Sequence, residues 1–286
     1  MRFVVGELAL VWKLLQADLA HNSKRIVLTV MAIAWGTLSI VLLLSFGEGM
    51  KRAFHKGTRG MGEGIAVVWP GSTTKAYAGL PSGRSFRFRD EDVTLLGERV
   101  PEIASISGEY ARHTSFSVGT TTLNKRLRGV DACFGPMRNL IPQPGGRFLN
   151  ERDFEKKRRV VFLGDELAQD LFGRQDVVGE TVLVNRSAFL VVGVMQEKIQ
   201  MGMYAGPDDN QATIPRTTFK SMYTDARPNN MIYQPLSPEL ADQALAQVYR
   251  ILGRKYRFDP EDHLQVDVHG RTAREHDLPA GEPGAG

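Results

Sequence analysis

Histidine and cysteine are the residue types in this sequence best suited to binding a metal ion or transferring a proton. The six histidines are too scattered to form a local ligand set, although folding could join some of them. They are His21, His55, His113, His263, His269 and His276. The sequence contains no Gly-x-x-x-x-Gly-Lys-Ser/Thr phosphate loop, no His-Glu-x-x-His zinc motif and no Gly-x-Ser-x-Gly nucleophile motif. We therefore expect no catalytic residue, no cofactor and no metal ion in this chain.

The single cysteine and the distribution of charge exclude two further kinds of site. Cys133 is alone, so the chain can form neither an internal disulfide nor a multi-cysteine metal site. A formal net charge of +4 and a pI near 9.2 could suggest nucleic-acid binding. Basic residues are dispersed among acidic ones, however, as in residues 87–92 and 155–159, and this pattern is typical of a solvated surface. We expect no nucleic-acid partner.

Four closely spaced glycines predict a flexible joint. They are Gly57, Gly60, Gly62 and Gly64. A nucleotide-binding loop needs its glycines to follow a strand and open a helix, and these glycines do not.

The most informative segment is an uncharged, mostly apolar run of 21 residues from Ile26 to Phe46. As a helix it is about 31 Å long, which matches a bilayer core of about 30 Å. A secretory signal peptide is the main alternative, but its apolar part is shorter, about 7–15 residues, and it ends in small residues suited to cleavage. We therefore predict a single transmembrane helix with a short stalk over residues 23–56, which makes the lipid bilayer one partner of the chain.

The residues before the apolar run predict a helix that lies on the membrane surface. Residues 1–22 place apolar side chains at helical spacing, and Trp12 suits the depth of the lipid headgroups. A soluble amphipathic helix packed on the domain is the alternative. Lysines and arginines flank the apolar run on both sides, so charge alone leaves its orientation open.

Within the apolar run, small or hydroxylated side chains fall on one stripe of the helix. The four positions are Thr29, Ala32, Gly36 and Ser39. Small residues allow two helix backbones to approach closely, so we predict that this stripe contacts another transmembrane helix.

After the apolar run, short extended segments alternate with amphipathic helices. We predict helices capped by Asp90, by Asp165 with Gly173 at the end, and by Ser237 with Pro238 in the first helical position. The predicted strands cover residues 65–69, 103–107, 114–118, 122–130, 160–163, 181–184, 189–194, 212–214, 232–236 and 264–268.

Two similar strand, helix, strand units flank a β-rich insertion in this order. The fold class is therefore α+β: one N-terminal transmembrane helix followed by a two-lobed extracytoplasmic domain. The first lobe is discontinuous, over residues 57–130 and 228–268, and residues 131–227 form the inserted lobe. Residues 269–286 are rich in Gly, Pro and Ala toward the end and are predicted to be a disordered tail.

A series of short motifs in the inserted region resembles the MacB-type ABC transporter permeases, which include the lipoprotein-releasing permeases. The resemblance extends over nearly the whole chain to about Val268, and the order and spacing of the motifs carry it. The motifs are GGRFL at 145–149, VVFLG at 160–164, LA at 167–168, LFG at 171–173, Asp176, VGETV at 178–182, FLVVGV at 189–194, IP at 214–215 and TT at 217–218.

The resemblance implies a cytoplasmic N-terminus, a first transmembrane helix extended as a stalk, and a two-lobed core outside the cytoplasm at the inner membrane. In that family, ATP hydrolysis by a separate or fused domain acts mechanically on export cargo or on partner proteins. The implied partners are an ABC ATPase subunit, further permease helices, a second copy in a dimer, and a periplasmic adaptor or cargo. The family has three more transmembrane helices after the core, which this sequence lacks, so we expect a partial permease subunit.

Two other functions are open from the residues alone. One is a single-span sensor or ligand-binding module with an extracytoplasmic α+β domain, which needs no ATPase. The other is an enzyme, which the missing motifs make the weakest of the three hypotheses.

Overall fold

The computed structural model describes residues 23–59, 64–198, 206–262 and 266–269. The chain divides into two units, Met1–His55 and Lys56–Gly286. The predicted surface helix of residues 1–22 lies outside the described residues. So do Gly60 and Gly62 of the predicted joint and residues 270–286 of the predicted tail.

Helix α1 comprises Ser23–Arg59. The 28 residues from Ser23 to Met50 are numerous and apolar enough to cross a membrane. Its large apolar side chains are exposed, which is unfavourable in water and favourable in lipid. The helix runs three residues past the predicted stalk and contains Gly57, so the predicted joint is wrong at that residue. One glycine costs a helix only about 1 kcal/mol and does not end it.

Strands and helices alternate in the described part of the second unit. The strands are β1 (Ile65–Val68), β2 (Ile103–Val118), β3 (Thr121–Val130), β4 (Val160–Leu163), β5 (Thr181–Val184), β6 (Ser187–Val194), β7 (Gln211–Pro215), β8 (Asn230–Pro235) and β9 (Val266–His269). The α-helices are α2 (Asp90–Arg99), α3 (Phe134–Met137), α4 (Glu151–Glu155), α5 (Asp165–Phe172), α6 (Arg216–Met222) and α7 (Ala241–Tyr256). Single 3₁₀ turns precede β7 at Asp208–Asn210 and α7 at Pro238–Leu240.

Six of the strands close into a ring through their pairing. Around it, β2 pairs with β3, β3 with β7, β7 with β4, β4 with β6, β6 with β5, and β5 with β2. The β3–β7 and β4–β6 pairs are parallel and the other four are antiparallel. Closure leaves these strands few unpaired edges.

The remaining strands β1, β8 and β9 form an antiparallel sheet together with β2, in the order β2, β8, β1, β9. The strand β2 belongs to both arrangements, because residues 103–109 pair with β8 and residues 110–118 pair with β3. On β1, Ala66 and Val68 pack in a cluster with apolar residues of α2 and α7. Ile65 and Val67 point to a second cluster, which includes Phe134. Strand β1 is therefore buried on both faces.

The sequence predicted two separate strands where the structure has the single strand β2. The predicted interruption contains Glu109, a charged residue that local pattern excludes from a strand. In the fold Glu109 is fully buried, and the side-chain amide of Asn230 donates to its Oε2 over 3.0 Å. A partner 121 residues away along the chain therefore makes this charged strand position acceptable.

Two of the three predicted helix caps are displaced by one residue. Asp90 and Asp165 are the first residues of α2 and α5, and the caps are Arg89 and Gly164. Both acids still lie in a first turn, where the helix dipole favours negative charge. Ser237 is the N-cap with Pro238 at N1 as predicted, although the first turn is 3₁₀ and α7 begins at Ala241.

The strands and helices are distributed over the two predicted lobes according to their positions in the chain. The sheet of β1, β8 and β9, with α2 and α7, falls within residues assigned to the first lobe. The strands β4 to β7 fall within the inserted segment, and β3, at the end of the first segment, pairs in parallel with β7. The division into lobes stays a prediction. The predicted last strand of residues 264–268 is described only from Val266, and it includes His269, which was assigned to the tail.

Candidate functional site

The predicted contact stripe lies on an open side of α1. Thr29, Ala32, Gly36 and Ser39 fall within about 80° of the helix face at 100° per residue, and all four are exposed. The hydroxyls of Thr29 and Ser39 donate to backbone carbonyls one turn earlier, over 2.9 and 2.8 Å. Their hydroxyl donors are therefore satisfied within the helix itself. A side chain built at Gly36 would meet no atom within 4 Å. The packing of a second helix on this stripe remains a prediction.

Replacing Gly36 with Leu is expected to weaken the association of α1 with a neighbouring transmembrane helix by about 1–3 kcal/mol, because the added side chain prevents close backbone approach. The amount of partner helix retained on the chain in mild detergent measures this effect. Val41→Leu, about 140° away around the helix, is the matched control and should retain the partner. Equal retention by the Gly36 variant and the unaltered chain would contradict the prediction.

In the second unit, the densest arrangement of charge surrounds the carboxylate of Asp208. Arg128 Nη2 lies 2.8 Å from Oδ1, and Lys198 Nζ lies 2.8 Å from Oδ2. Arg138 Nη2 contacts both carboxylate oxygens, at 3.0 and 2.8 Å. Arg128, Arg138 and Asp208 are at most 2% exposed. We call these four residues the Asp208 cluster.

The Asp208 cluster joins four separate parts of the fold. Arg128 lies on β3, Arg138 directly follows α3, Lys198 follows β6, and Asp208 opens the 3₁₀ turn before β7. The guanidinium of Arg128 also lies 5.5 Å from the ring centre of Phe134, a cation–π contact. Three cations thus contact one buried carboxylate, so each contact limits how far these segments can separate.

The pKa values within the Asp208 cluster reflect the excess of three cations over one carboxylate. Burial alone raises the pKa of Asp208, but the positive charges of Arg128, Arg138 and Lys198 outweigh burial and lower that pKa well below its ordinary value. Burial lowers the pKa of Lys198, although the Asp208 carboxylate opposes the effect. The carboxylate is therefore ionised across the physiological range, which suits a structural tie rather than proton transfer.

Sequence reasoning missed the Asp208 cluster. Its members lie between 10 and 80 residues apart along the chain and match no motif. The available signal was Arg128 itself, a charged residue near the apolar end of a predicted strand. Such a residue needs a buried partner, but the sequence does not say which one.

A second carboxylate, Asp92, ties α2 to α7. It is fully buried and accepts hydrogen bonds from Lys255 Nζ and the Tyr256 hydroxyl, both over 2.5 Å. The Arg89 backbone N–H donates to it over 2.7 Å. Lys255 also contacts Glu91 over 2.9 Å, so the start of α2 lies beside the end of α7. The two helices are therefore antiparallel and fixed at this end.

Asp165 makes the free energy of unfolding depend on pH in the direction opposite to that of an acid paired with cations, such as Asp208. Burial, and then the nearby carboxylates of Asp209 and Glu197, raise its pKa, with backbone N–H donors opposing the shift. A raised pKa means that the folded state favours the protonated form of Asp165. The ionised carboxylate therefore lowers the stability of the fold at neutral pH, and this loss disappears as the pH falls through the raised pKa.

We expect the free energy of unfolding of the unaltered chain, relative to Asp165→Asn, to increase as the pH is lowered from 7.5 to 4.5. Denaturant unfolding at a series of pH values measures this difference. Asp176→Asn, at an exposed position, is the control and should show no such trend. A difference that decreases toward low pH would contradict the assignment.

Among the described residues there is neither a candidate metal-binding group nor a readily ionised thiol. No group of three or more His, Cys, Asp or Glu side chains could hold a metal ion there. Cys133 is half-buried, and burial followed by the Asp131 charge raises the pKa of its thiol to about 11. That thiol is protonated at neutral pH and is a poor nucleophile.

Comparison with known proteins relates this architecture to a family. The model of the MacB-like periplasmic core domain matches residues 26–251, which include most of α1 and nearly all of the described second unit. The chain is 26% identical over 245 residues to the macrolide export ATP-binding/permease protein MacB of Chlorobium phaeobacteroides, covering 84% of this chain and 36% of that protein. It is 30% identical over 197 residues to the pyoverdine export ATP-binding/permease protein PvdT of Pseudomonas syringae pv. syringae, covering 68% and 28%.

Solved structures show the same fold at low sequence identity. The periplasmic region of MacB from Actinobacillus actinomycetemcomitans matches with a TM-score of 0.57 and 17% identity, covering 75% of this chain and 92% of that one. The extracellular domain of the noncanonic ABC-type transporter YknZ from Gram-positive bacteria matches with a TM-score of 0.55 and 17% identity, covering 72% and 98%.

The chain spans about a third of the length of the curated relatives it matches. The matched part holds both the apolar helix and the motif series between residues 145 and 218 on which the resemblance was based. The predicted mixed helix and strand architecture and the predicted family are therefore both confirmed. The chain belongs to the family of ABC transporter permeases that carry a MacB-like periplasmic core domain.

Proposed function

We propose that this chain is a membrane-anchored permease subunit of an ABC export system. Helix α1 crosses the inner membrane, and the domain from β1 to β9 lies outside the cytoplasm. There it engages export cargo or a periplasmic partner, while an ABC ATPase supplies the work. The observation that supports this most directly is that one family model extends from residue 26 in α1 to residue 251 in α7.

The division of labour follows from the sequence and the relatives. The two relatives described above are named as ATP-binding/permease proteins for export. This chain contains no phosphate-binding loop, so we assign ATP hydrolysis to another polypeptide or domain and no catalysis to this chain. The buried charge ties at Asp208 and Asp92 support a mechanical role, because they hold distant segments of the domain together against displacement.

Affinity purification of the tagged chain from carbonate-washed membranes tests the proposed function. We expect the chain to stay in the membrane pellet and to bring down an ABC ATPase together with further permease helices. Retention in the membrane with consistent absence of both partners would refute the transporter assignment and favour the single-span sensor. Release of the intact chain by carbonate would refute the membrane anchor.

The proposed orientation has its own test. In a Cys133→Ser background, Asp176→Cys places a thiol at an exposed position of the second unit. A membrane-impermeant maleimide added to spheroplasts should label this thiol as completely as in lysed cells. Labelling only after lysis would place the domain in the cytoplasm.

A further inference from the structure

An open groove of about 740 Å³ lies between the antiparallel helices α2 and α7. On α2 it is lined by residues one turn apart, namely Glu91, Leu95 and Arg99. On α7 it is lined by Gln247, Arg250, Ile251, Arg254 and Lys255. The stripe on α2 runs over nine residues, from Glu91 to Arg99, so its ends lie about 12 Å apart at 1.5 Å per residue. We call this feature the α2–α7 groove.

The charges lining the groove are not balanced. Four cationic side chains line the groove beside the single carboxylate of Glu91. One of them, Lys255, already forms ion pairs with Glu91 and with Asp92. Among the residues that the structure describes, the guanidinium groups of Arg99, Arg250 and Arg254 make no hydrogen bond or ion pair with another residue. Three exposed arginines from two helices therefore leave their donors directed to solvent beside one groove.

The apolar part of the groove is small. Leu95 and Ile251 are half-buried and contribute apolar surface between the arginines. This area suits one or two apolar side chains rather than a whole acyl chain. Arginine forks bind carboxylates with two parallel hydrogen bonds, and helical segments dock in such grooves through side chains spaced three or four residues apart.

We propose that the α2–α7 groove binds an acidic amphipathic segment of a partner protein. Carboxylates of that segment pair with Arg99, Arg250 and Arg254, and an apolar side chain packs on Leu95 and Ile251. Charge complementarity and the size of the apolar surface carry this assignment. It stands whether or not the chain works with an ATPase.

The test uses the full chain in phosphatidylcholine nanodiscs and a fluorescein-labelled 12-residue helical peptide of Glu and Leu, followed by fluorescence anisotropy. The groove variant combines Arg99→Gln, Arg250→Gln and Arg254→Gln. The control variant combines Arg152→Gln, Lys156→Gln and Arg159→Gln, which removes the same charge from exposed positions in the segment between β3 and β4. A second peptide with Gln in place of Glu reports how much of the binding depends on carboxylates.

We expect saturable binding of the Glu peptide, weakened at least about tenfold by the groove variant and less than about twofold by the control variant. Each single Arg substitution should weaken binding in the same direction, so the result does not depend on the stability of the triple variant. Absence of saturable binding, equal weakening by both variants, or equal affinity for the Gln peptide would overturn the proposal. Displacement of the peptide by dihexanoyl phosphatidylglycerol, with the same arginine dependence, would also overturn it in favour of a lipid headgroup.

Discussion

Replacing Asp208 with Asn is expected to lower the free energy of unfolding by about 3–5 kcal/mol, because it leaves three nearby cations without their carboxylate. Arg128 and Arg138 are each 1% exposed and cannot turn to water without opening the fold. A domain of this kind is stable by only about 5–15 kcal/mol, so the loss is a large part of the total. Removing the carboxylate is costly because it leaves buried cations uncompensated, whatever net free energy the intact network contributes to folding.

Denaturant unfolding of the full chain in detergent measures the effect, and hydrogen exchange locates it. Protection should fall first in β3 and β7, the strands that carry or follow the altered contacts. Asp176→Asn removes an exposed carboxylate and should change stability by no more than about 0.5 kcal/mol. A loss below about 1 kcal/mol for Asp208→Asn would show that the cluster does not hold these segments together.

The pH dependence of this variant follows from the lowered pKa of Asp208. A lowered folded-state pKa contributes stability that is present above the unfolded value, about 3.9, and is lost as the pH falls through the folded value. The stability difference between the unaltered chain and Asp208→Asn should therefore persist from pH 8 to pH 5 and shrink only below about pH 4. This is the opposite of the trend expected for Asp165.

Gly164→Ala is expected to cost about 3 kcal/mol or more, because the added Cβ would lie 2.0 Å from the backbone oxygen of Asp209. No rotamer change relieves a collision with backbone, so the start of α5 or the turn at Asp208–Asn210 must move. Movement of that turn would also displace the Asp208 carboxylate from its arginines. Both substitutions therefore damage the same junction by different routes.

Gly97→Ala is a suitable control for this prediction. Its added Cβ would lie 3.2 Å from a side-chain carbon of Ile106, which can adjust, and alanine favours the helix in which it lies. We expect a change within about 1 kcal/mol. Chemical unfolding and the hydrogen exchange of α5 distinguish the two variants. Equal stability of both would mean that α5 accommodates the extra carbon without contacting Asp209.

The two predictions share contacts, so their effects should not add. Asp208 and Asp209 are consecutive, and Gly164 touches the backbone of both. Residues in one network typically show interaction energies of about 0.5–3 kcal/mol in double-mutant cycles. A double variant less destabilised than the sum of the single variants would confirm that the start of α5 and the Asp208 cluster form one junction.

The features that the sequence predicted well depend on local pattern. The candidate span in α1 follows from an uninterrupted apolar composition, which needs no knowledge of the fold. The β5–β6 hairpin follows from alternating apolar residues around Asn185 and Arg186, both of which adopt positive φ in the turn. Helix α7 follows from apolar spacing after Ser237 and Pro238, although its first turn is 3₁₀.

The features that local pattern misplaced depend on contacts between distant residues. Asp165 has the ordinary character of an N-cap, yet the cap is Gly164, where the backbone of Asp209 approaches too closely for a side chain. The polar middle of β2 indicates a break, yet the buried pairing of Glu109 with Asn230 lets the strand continue. A single sequence does not specify which distant segments meet.

By itself, the sequence determined the apolar helix, the alternation of strands and helices, and the motif series that identifies the family, because each follows from neighbouring residues along the chain. Only the tertiary structure decided the ring of six strands, the Asp208 cluster and the α2–α7 groove. Each of these depends on chain segments brought together by packing of the whole core. Buried charges such as Arg128 and Asp208 are stable only where folding supplies their partners, so their roles become visible only in the folded chain.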